Sequence, residues 1–416
     1  MIVWMNKNFS RPVTRCQISN SKKLGSVIFL GYLPPVNTLK KIGSISKEEI
    51  FFPAELLFCE KSKLVQLGCI VDKEVLFPAS YPYTSSTTKI LRDNFADLYK
   101  DLKKIIKLNK EDLVLDIGSN DGNLLSNFKS NHRVLGVTPE KIGKLAIKRG
   151  IPTYIDYFNQ RVSNKIIKKY GKAKIITATN VFAHIDNINQ IVKIILKTLK
   201  FDGIFVTESH YLLSLIQRVQ YDTIYHEHLR YYSLESLNYL FKKHNLEIID
   251  TKEIPTHGGS IRVYAARKGV YRVQETVKKQ IYKEKKYLNK KSFESFKKKV
   301  VKSKIDLFTI IKNIKNKNKK IFGIGAPSRA STMINYLGLD QDIIDCVLEI
   351  NGSYKIGNYI PGTKIPILNE NVLLKEKPDF LILFSWHIKD ELKINLKKKG
   401  FKGKFIIPLP VPRIES

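Results

Sequence analysis

From residue 113 onward, short apolar stretches alternate with segments of helical periodicity, and this alternation constrains the fold more than any other feature. The apolar stretches cover residues 113–117, 133–137, 175–178 and 204–208. An amphipathic helix over residues 90–108 precedes them, with apolar side chains three and four positions apart. Strands that alternate with helices form a parallel sheet, because each helix returns the chain to the edge where the previous strand began. The sequence therefore predicts an α/β domain over residues 89–270.

Three further units flank this domain. Residues 1–88 contain short apolar runs interrupted by glycine and proline, which is typical of a small β-rich module. Residues 271–320 carry 18 basic and 4 acidic side chains with an intermittent helical period, and we predict one or two long helices that link two domains. A second α/β unit follows over residues 321–416, with strands near residues 320–326, 345–349, 380–384 and 405–408.

The composition argues against several classes of protein. The chain has 72 basic and 38 acidic residues, a formal net charge of +34, but 59 of its cations are lysines and only 13 are arginines. Base readout and bidentate phosphate binding rely on arginine, so we expect no specific nucleic-acid site, with an RNA-binding protein kept as an alternative. No apolar run approaches the ~18 residues of a membrane span, and four scattered cysteines do not make a disulfide framework. We expect a soluble cytoplasmic protein that contacts no membrane.

Residues 113–125 read Leu-Val-Leu-Asp-Ile-Gly-Ser-Asn-Asp-Gly-Asn-Leu-Leu, a buried strand followed by a glycine turn and a predicted helix. Backbone N–H groups in such a turn approach a ligand closely, and an acidic residue at the strand end orients polar groups there. The stretch lacks the third glycine of a dinucleotide fingerprint and the Gly-Lys-Ser/Thr of a phosphate loop. Its Asp-x-Gly-x-x-x-Gly pattern, from Asp116 to Gly122, resembles motif I of class I S-adenosylmethionine (SAM) methyltransferases. A strand turn of another α/β fold is the alternative.

Further segments resemble a narrower family, the sugar C-methyltransferases that act on nucleotide-linked ketosugars, such as the 3-C-methyltransferases of deoxysugar pathways. The matching segments are Tyr-Pro-Tyr-Thr-Ser-Ser (81–86), Asn-Val-Phe-Ala-His-Ile-Asp (180–186), Asp-Thr-Ile-Tyr-His-Glu-His (222–228), His-Gly-Gly-Ser-Ile-Arg-Val-Tyr (257–264), Gly-Ile-Gly-Ala (323–326) and Pro-Gly-Thr-Lys-Ile-Pro (361–366). The resemblance implies an α/β fold with a Rossmann-like class I methyltransferase core, a small N-terminal β-rich module and a C-terminal Rossmann-like domain. It also implies SAM as the cofactor, a nucleotide-diphosphate sugar as the substrate, and a monomer or homodimer.

The resemblance also implies roles for individual residues. C-methylation beside a ketone needs a base for the α-proton and donors that hold the enolate oxygen. His228 is then the base, Tyr225 and His184 stabilise the enolate, and Glu227 orients a neighbouring side chain; His226 is expected to be structural. The expected cofactor-binding residues are Asp116, Gly118, Asn120, Asp121, Gly122, Thr138 and Asn180. The expected substrate-binding residues are Tyr81, Tyr83, Ser85, His257, Ser260, Arg262, Gly323, Gly325 and Arg329.

Two parts of the expected substrate site have their own physical interpretation. The glycines of residues 258 and 259 also suit a bulged strand, so a place at the edge of the core is the alternative for Ser260 and Arg262. The segment from Gly323 to Arg329 follows a strand and opens a helix, an arrangement in which main-chain N–H groups bind a diphosphate.

The N-terminal module departs from the family pattern. In the family it holds a structural zinc through two Cys-x-x-Cys pairs, whereas Ser19 and Ser62 stand three residues after Cys16 and Cys59 here. Serine is a poor zinc ligand, and Cys69 is at most a third ligand. We therefore expect no structural zinc, and the predicted mechanism uses no catalytic metal.

A second departure concerns the cofactor. The acid that binds the ribose hydroxyls is expected at the end of the second strand, where this chain has Thr138, with Glu140 two residues later. The replacement predicts weaker cofactor binding or a non-catalytic sugar-nucleotide binder.

The sequence as a whole predicts a SAM-dependent enzyme that methylates a carbon of a nucleotide-linked keto-deoxysugar through an enolate. Its product would serve a surface polysaccharide or a glycosylated metabolite. An O-methyltransferase acting on a sugar or a related small acceptor is the alternative within the same fold.

Overall fold

The computed structural model describes residues 9–45, 48–77 and 89–416. Tyr81, Tyr83 and Ser85, three of the predicted substrate-binding residues, lie outside the described residues. Within the described chain, sheets of four or more strands form in the N-terminal, middle and C-terminal parts of the sequence.

The N-terminal part is built from short strands. Its elements are β1 (Ser10–Pro12), β2 (Gly25–Leu33), β3 (Lys40–Lys41), β4 (Phe52–Cys59), β5 (Leu64–Leu67), β6 (Cys69–Val71) and α1 (Lys73–Leu76). β2, β4 and β5 pair antiparallel in that order, and β1 pairs with β6. Burial alternates along β4, as expected where only one face of a sheet is fully covered.

The middle part forms a seven-stranded sheet. Its elements are α2 (Lys89–Ile105), β7 (Leu113–Ile117), β8 (Arg133–Thr138), α3 (Gly143–Lys148), β9 (Thr153–Ile155), α4 (Gln160–Tyr170), β10 (Ala173–Thr179), α5 (Ile188–Thr198), β11 (Leu199–His210), α6 (Leu212–Gln217), β12 (Arg230–Tyr231), α7 (Leu234–Lys242), β13 (Leu246–Ile254) and β14 (Ser260–Arg267). The strand order is β13-β14-β11-β10-β7-β8-β9, and only β14 runs antiparallel to its neighbours. β12 instead pairs with β5, which joins the N-terminal sheet to the middle part by main-chain hydrogen bonds.

The helix expected directly after the glycine turn of residues 118–122 does not form in this fully described part of the chain. A 3-10 helix of three residues, Leu125–Asn127, and several turns connect β7 to β8. Ser126 Oγ donates to the Gly122 carbonyl, and Asn127 Nδ2 donates to the Leu124 carbonyl. Polar side chains that bind nearby main-chain oxygens compete with helix formation, which explains the error.

The lysine-rich segment forms two helices, α8 (Glu275–Tyr287) and α9 (Lys290–Lys315). The buried Glu284 of α8 accepts hydrogen bonds from the main-chain N–H groups of Leu234 and Glu235, at 2.6 and 2.9 Å, and from the Tyr211 hydroxyl at 2.7 Å. A carboxylate in this position caps the N-terminus of α7 and complements its dipole. The segment therefore contributes Glu284 to the middle domain, while its lysines stay largely exposed.

The C-terminal part forms a second, smaller parallel sheet. Its elements are β15 (Ile321–Ile324), α10 (Ser328–Leu337), β16 (Val347–Glu349), β17 (Asn358–Tyr359), β18 (Ile367–Asn369), α11 (Val372–Glu376), β19 (Phe380–Leu383), α12 (Lys389–Lys398), β20 (Lys404–Ile407) and β21 (Arg413–Glu415). The order is β18-β16-β15-β19-β20-β21, with only β21 antiparallel. β17 pairs with β3 of the N-terminal part, so the first and last parts of the chain are also in contact.

Hydrophobic cores cover both faces of the middle sheet. Leu115 of β7 belongs to the core on one face and Val114 to the core on the other. A third core joins Leu56 of the N-terminal sheet, Phe296 of α9 and Ile382 of β19. The predicted fold class, an α/β protein with a Rossmann-like core, a β-rich N-terminal module and a Rossmann-like C-terminal domain, is confirmed. No helix among the described residues combines the length and the apolar composition needed to cross a bilayer.

Candidate active site

The glycine turn after β7 lies at the carboxyl edge of the middle sheet, where parallel α/β sheets bind their ligands. Gly118, Asn120 and Gly122 have positive φ angles of 74°, 50° and 79°. A Cβ atom on Gly118 would lie 2.2 Å from Val181 Cγ2, and one on Gly122 would lie 2.8 Å from Ile151 Cδ1. Glycine is therefore required at both positions by packing as well as by conformation.

The two aspartates of this segment are buried against protein groups. Asp116 accepts a hydrogen bond of 2.6 Å from Thr177 Oγ1 on the neighbouring strand, and burial raises its pKa to about 7. Asp121 pairs with Arg149 at 3.1 Å. Both side chains hold the shape of the loop, and their direct contact with a cofactor stays a prediction. Asn180 directly follows β10 at the same sheet edge, with a φ of 56°.

Thr138 ends β8 at the position where an acid is expected. Its hydroxyl donates to the carboxylate of Glu140, and Thr138 is fully buried while Glu140 is half-buried. The threonine therefore orients an acid that lies two residues later in the chain. The Glu140 carboxylate therefore lies at the end of β8, near the position where the sequence pattern has threonine instead of an acid.

Three of the predicted catalytic side chains meet in a cluster. The ring centroid of His228 lies 4.2 Å from that of Tyr225 and 5.1 Å from that of His184. A main-chain hydrogen bond of 3.1 Å from Leu229 N to the Ala183 carbonyl joins the two loops that carry these rings. The structure thus brings together residues that are more than 40 positions apart in sequence.

Main-chain carbonyls fix the tautomers of both histidines. His228 Nδ1 lies 3.1 Å from the Thr223 carbonyl oxygen, and His184 Nδ1 lies 2.6 Å from the Glu227 carbonyl oxygen. A carbonyl oxygen only accepts, so each ring donates from Nδ1, and in a neutral ring the lone pair is on Nε2. His228 thereby presents the acceptor that a general base needs, whereas a neutral His184 has no donor left for an enolate oxygen.

Burial sets the charge state of the cluster. It lowers the pKa of His184 to about 4, and burial together with the neighbouring His184 and His210 lowers the pKa of His228 well below 6.5. Burial and the Glu227 carboxylate raise the pKa of Tyr225 well above 10. Near neutral pH the cluster therefore holds two neutral imidazoles and a protonated phenol, which suits proton abstraction beside a hydrogen-bond donor.

The side chains of Glu227 and His226 face the N-terminal part of the molecule. Glu227 Oε1 accepts a hydrogen bond of 2.6 Å from Asn37 Nδ2. His226 Nε2 lies 3.2 Å from the Pro53 carbonyl oxygen, and its ring packs edge-on against Phe52. The carbonyl of Glu227, rather than its carboxylate, is the group that orients His184, and the geometry of His226 fits the structural role expected for it.

The C-terminal domain reaches the same region through Arg329, the second residue of α10. Arg329 Nε pairs with Asp222 at 3.1 Å, Nη1 lies 2.7 Å from His387 Nδ1, and Nη2 donates to Gln220 Oε1 at 3.3 Å. Trp386 Nε1 also donates to Asp222, at 2.8 Å. These contacts fix the C-terminal domain against the loop that leads to the cluster of His184, Tyr225 and His228.

The glycine loop of the C-terminal domain is less open than predicted. The N–H groups of Gly323 and Gly325 donate to the carbonyls of residues 346 and 348, both at 2.8 Å, and Ala326 N donates to Glu349 Oε1 at 2.6 Å. Lys355 lies beside the loop and donates to the Ala326 carbonyl at 2.6 Å; burial lowers its pKa. A diphosphate at this loop would meet the lysine more readily than the glycine N–H groups, which the sheet already uses.

His257 differs in its hydrogen bonding from Ser260 and Arg262, the two other predicted substrate residues of its segment. Its φ is 56°, and its buried Nε2 has no partner among the described residues. Ser260 Oγ donates to the Thr256 carbonyl, and the guanidinium of Arg262 binds Glu208 at 2.5 Å as well as Asp101 and Asn94. This geometry favours the core-edge alternative for Ser260 and Arg262, whose substrate contacts remain predictions.

The cysteines and serines of the N-terminal module form one compact group. Cys16 Sγ lies 3.0 Å from Ser62 Oγ, and Ser19 Oγ lies 3.4 Å from Cys59 Sγ. Burial opposes a thiolate at Cys59, but hydrogen bonds from Ser19 and Ser62 lower its pKa below the ordinary value. Two thiols and two hydroxyls that bind one another do not fit a closed zinc site, and no group of three or more His, Cys, Asp or Glu side chains in the described chain is suited to a metal.

Several polar residues of this region were not predicted from the sequence. They are Asn37, His210, Gln220, Thr223, Lys355, Trp386 and His387. His210 ends β11 and His387 lies shortly after β19, so the rule that ligands bind at the carboxyl ends of parallel strands could have identified both. Thr223 acts through its carbonyl, for which no sequence signal exists.

Comparison with known proteins found matches along most of the chain. Three family models match successive segments: a proposed zinc binding domain over residues 16–77, a methyltransferase domain over residues 89–251, and a C-methyltransferase C-terminal domain over residues 255–410. Among curated proteins, C-methyltransferase NovU from Streptomyces niveus is 29% identical over 415 residues, which cover 98% of each chain.

Comparison with solved structures gave partial matches. One is an S-adenosylmethionine-dependent methyltransferase from Clostridium acetobutylicum, with 15% identity and a TM-score of 0.33, matching 44% of this chain and 94% of that chain. Another is the PH0226 protein from Pyrococcus horikoshii, with 15% identity and a TM-score of 0.36, matching 47% of this chain and 98% of that chain.

Proposed function

The chain belongs to the SAM-dependent C-methyltransferase family, and we propose that it methylates a carbon atom of a nucleotide-linked keto-deoxysugar. The observation that carries the proposal is the His228 ring, whose tautomer is fixed by the Thr223 carbonyl and whose Nε2 keeps its lone pair beside Tyr225. A carbon next to a ketone becomes nucleophilic only after it loses a proton, so this chemistry needs a neutral base and a donor in contact.

The carboxyl edge of the middle sheet fits the cofactor. The loop from Gly118 to Gly122 lies at this edge with positive φ angles at both glycines, and Glu140, oriented by Thr138, would accept from the ribose hydroxyls. Asn180 would line the same edge. When bound there, SAM supplies an electrophilic methyl group.

Each residue of the cluster has a separate role in removing the α-proton and stabilising the enolate. His228 Nε2 removes the α-proton of the ketosugar, and the charge that develops on the carbonyl oxygen is stabilised by the Tyr225 hydroxyl, which stays protonated. His184 packs against His228, and because it is neutral it helps to keep His228 neutral and able to accept a proton. Glu227 positions the loop through its carbonyl and through Asn37.

The nucleotide part of the substrate would lie toward the C-terminal domain. The buried Arg329 and the half-buried Lys355 are cations on that side, and a diphosphate carries the complementary charge. Gly323, Gly325 and His257 line the same region and remain proposed substrate residues. The proposal includes a cytoplasmic location, in keeping with the unpaired cysteines, and a product used for a surface polysaccharide or a glycosylated metabolite.

The decisive experiment separates the two halves of the reaction. Purified protein is incubated with a panel of nucleotide-linked 4-ketosugars in heavy water, first without SAM and then with methyl-labelled SAM. We expect exchange of the α-proton for deuterium in the absence of SAM, and label on carbon in its presence. Label on oxygen without prior exchange would instead identify an O-methyltransferase, and no transfer to any member of the panel would overturn the proposed substrate class.

A further inference from the structure

His210 is the last residue of β11 and lies at the sheet edge that carries the proposed active site. The pKa of His228 is lowered in part by the nearby His210 and His257, which places the three rings in one neighbourhood. His210 is half-buried, and neither the base nor the enolate donor of the proposed mechanism involves it.

The amide of Gln220 determines how His210 is protonated. Gln220 Nε2 donates to the Gly258 carbonyl at 2.7 Å, so Oε1 is fixed as the acceptor end of this amide. Oε1 accepts from Arg329 at 3.3 Å and lies 2.9 Å from His210 Nε2. An acceptor opposite Nε2 requires that His210 carry its proton there, which leaves the lone pair on Nδ1.

Arg329 stabilises this orientation of the Gln220 amide and the neutral form of His210. Its guanidinium is anchored by Asp222 and stacked over the Trp386 ring at 5.3 Å, so its hydrogen bond to Gln220 is held in place. Its charge also disfavours a positive His210: burial first, and then Arg329, lower the pKa of His210 to about 3. His210 Nδ1 is consequently a buried neutral acceptor, with no partner among the described residues.

We propose that His210 Nδ1 accepts a hydrogen bond from a hydroxyl group of the sugar ring, and that Arg329 and Gln220 are positioning residues that hold this acceptor from the C-terminal domain. The inference rests on the proposed function, since it takes a sugar as the substrate. A lone pair requires a donor opposite it, and neither a ketone oxygen nor an ionised diphosphate is one. His210 therefore selects a hydroxyl-bearing carbon at this position.

His210 would select for a hydroxyl group because a buried hydrogen-bond acceptor without a donor costs free energy. A buried acceptor loses its interaction with water when the site closes, and an analogue without the hydroxyl leaves it unpaired. Substrates deoxygenated at the selected carbon are thus disfavoured, even though they fit the space.

The first test measures the tautomer and needs no substrate. The full-length protein is labelled with 15N-histidine, and two-bond nitrogen–proton couplings are recorded; His210→Asn identifies the His210 signals. We expect wild-type His210 to be neutral with its proton on Nε2, and Gln220→Met to convert it to a tautomer mixture. A proton on Nδ1 in the wild type, or an unchanged tautomer in Gln220→Met, overturns the positioning roles.

The second test measures substrate binding. His210→Phe removes the acceptor, and we expect KM for the sugar nucleotide to rise at least about tenfold with kcat changed less than about threefold. His210→Asn keeps an amide oxygen acceptor and should recover part of the loss. His132→Asn, at the amino end of β8, serves as a control outside the cleft.

The outcomes are separable from those of the proposed function. An unchanged KM in His210→Phe overturns the hydroxyl contact while methyl transfer itself continues. A wild-type protein that methylates no sugar overturns the proposed function, and with it the sugar contact. The NMR measurement then still decides whether Gln220 sets the tautomer of His210.

Discussion

The carbonyl oxygen of Thr223 lies 3.1 Å from His228 Nδ1, and this one contact decides which nitrogen of His228 can act as a base. The ring donates to the carbonyl, so Nε2 is free to accept a proton. His226, two residues earlier, uses the other ring nitrogen: its Nε2 donates to the Pro53 carbonyl. Two histidines in one tripeptide thus have opposite tautomers and different roles.

This contrast predicts the behaviour of a matched pair of variants. His228→Gln removes the base, and we expect kcat to fall by about 10² to 10⁴, the usual contribution of general base catalysis. His226→Gln keeps a side-chain donor for the Pro53 carbonyl and should retain kcat within about threefold. Initial rates of methyl transfer measure both, with circular dichroism as a check on folding. An equal fall in kcat in the two variants would contradict a catalytic role that belongs to His228 alone.

The lowered pKa of His228, the proposed base, predicts how the activity depends on pH. Burial lowers the pKa of His228 well below 6.5, and a base is active above its pKa, so activity should be lost only when the pH falls below that lowered value. We expect kcat/KM to stay constant from pH 8 to pH 6, whereas an unperturbed histidine of pKa about 6.5 would have lost about three quarters of its basic form at pH 6. Rates are measured at constant ionic strength, with unfolding monitored at each pH. An inflection near pH 6.5 contradicts the assignment.

The elements of the fold were predictable because their signals are local. The apolar runs at residues 113–117 and 204–208 coincide with β7 and with part of β11, and the periodic segment at residues 90–108 with α2. The identities of Tyr225 and His228 could be carried over from the family motifs. The tautomer of His228 could not, because it depends on a main-chain carbonyl. The partners of Arg262 were also hidden, since Asp101 lies 161 positions away.

The pairing of Thr138 with Glu140 predicts which residue binds the ribose. Glu140→Gln removes the charge that would accept from two hydroxyls, and hydrogen bonds to charged groups contribute roughly 1.5–3 kcal/mol. We therefore expect the Kd for SAM to rise about tenfold to a hundredfold, measured by isothermal titration calorimetry. Thr138→Val keeps the Glu140 carboxylate but removes the hydroxyl that orients it, so we expect a smaller increase in the Kd for SAM. An unchanged Kd in Glu140→Gln would remove Glu140 from the cofactor site.

The burial of Arg262 predicts a loss of stability rather than of substrate affinity. Its side chain is fully buried and binds Glu208 and Asp101, so Arg262→Met leaves the Glu208 carboxylate buried without its cation. Breaking one partner of a buried pair costs about 3–5 kcal/mol in the free energy of unfolding, which urea denaturation measures. Arg267→Met, which loses a hydrogen bond to the Leu196 carbonyl, should cost about 1 kcal/mol. A raised KM with unchanged stability in Arg262→Met would favour substrate contact instead.

The group of Cys16, Ser19, Cys59 and Ser62 predicts a gain of metal binding on substitution. The four side chains already lie within hydrogen-bond distance of one another across two loops, so Ser19→Cys and Ser62→Cys together would bring four thiols to one point. Four thiolates at this spacing suit a tetrahedral structural zinc. Elemental analysis should find no zinc in the wild type and one zinc per chain in the double variant, with a cobalt-substituted sample giving the absorption of tetrahedral thiolate coordination. Adding Cys16→Ser to the double variant should abolish binding. One zinc per wild-type chain, lost with a chelator, would mean that the two hydroxyls do serve as ligands and that the module keeps a metal despite its serines.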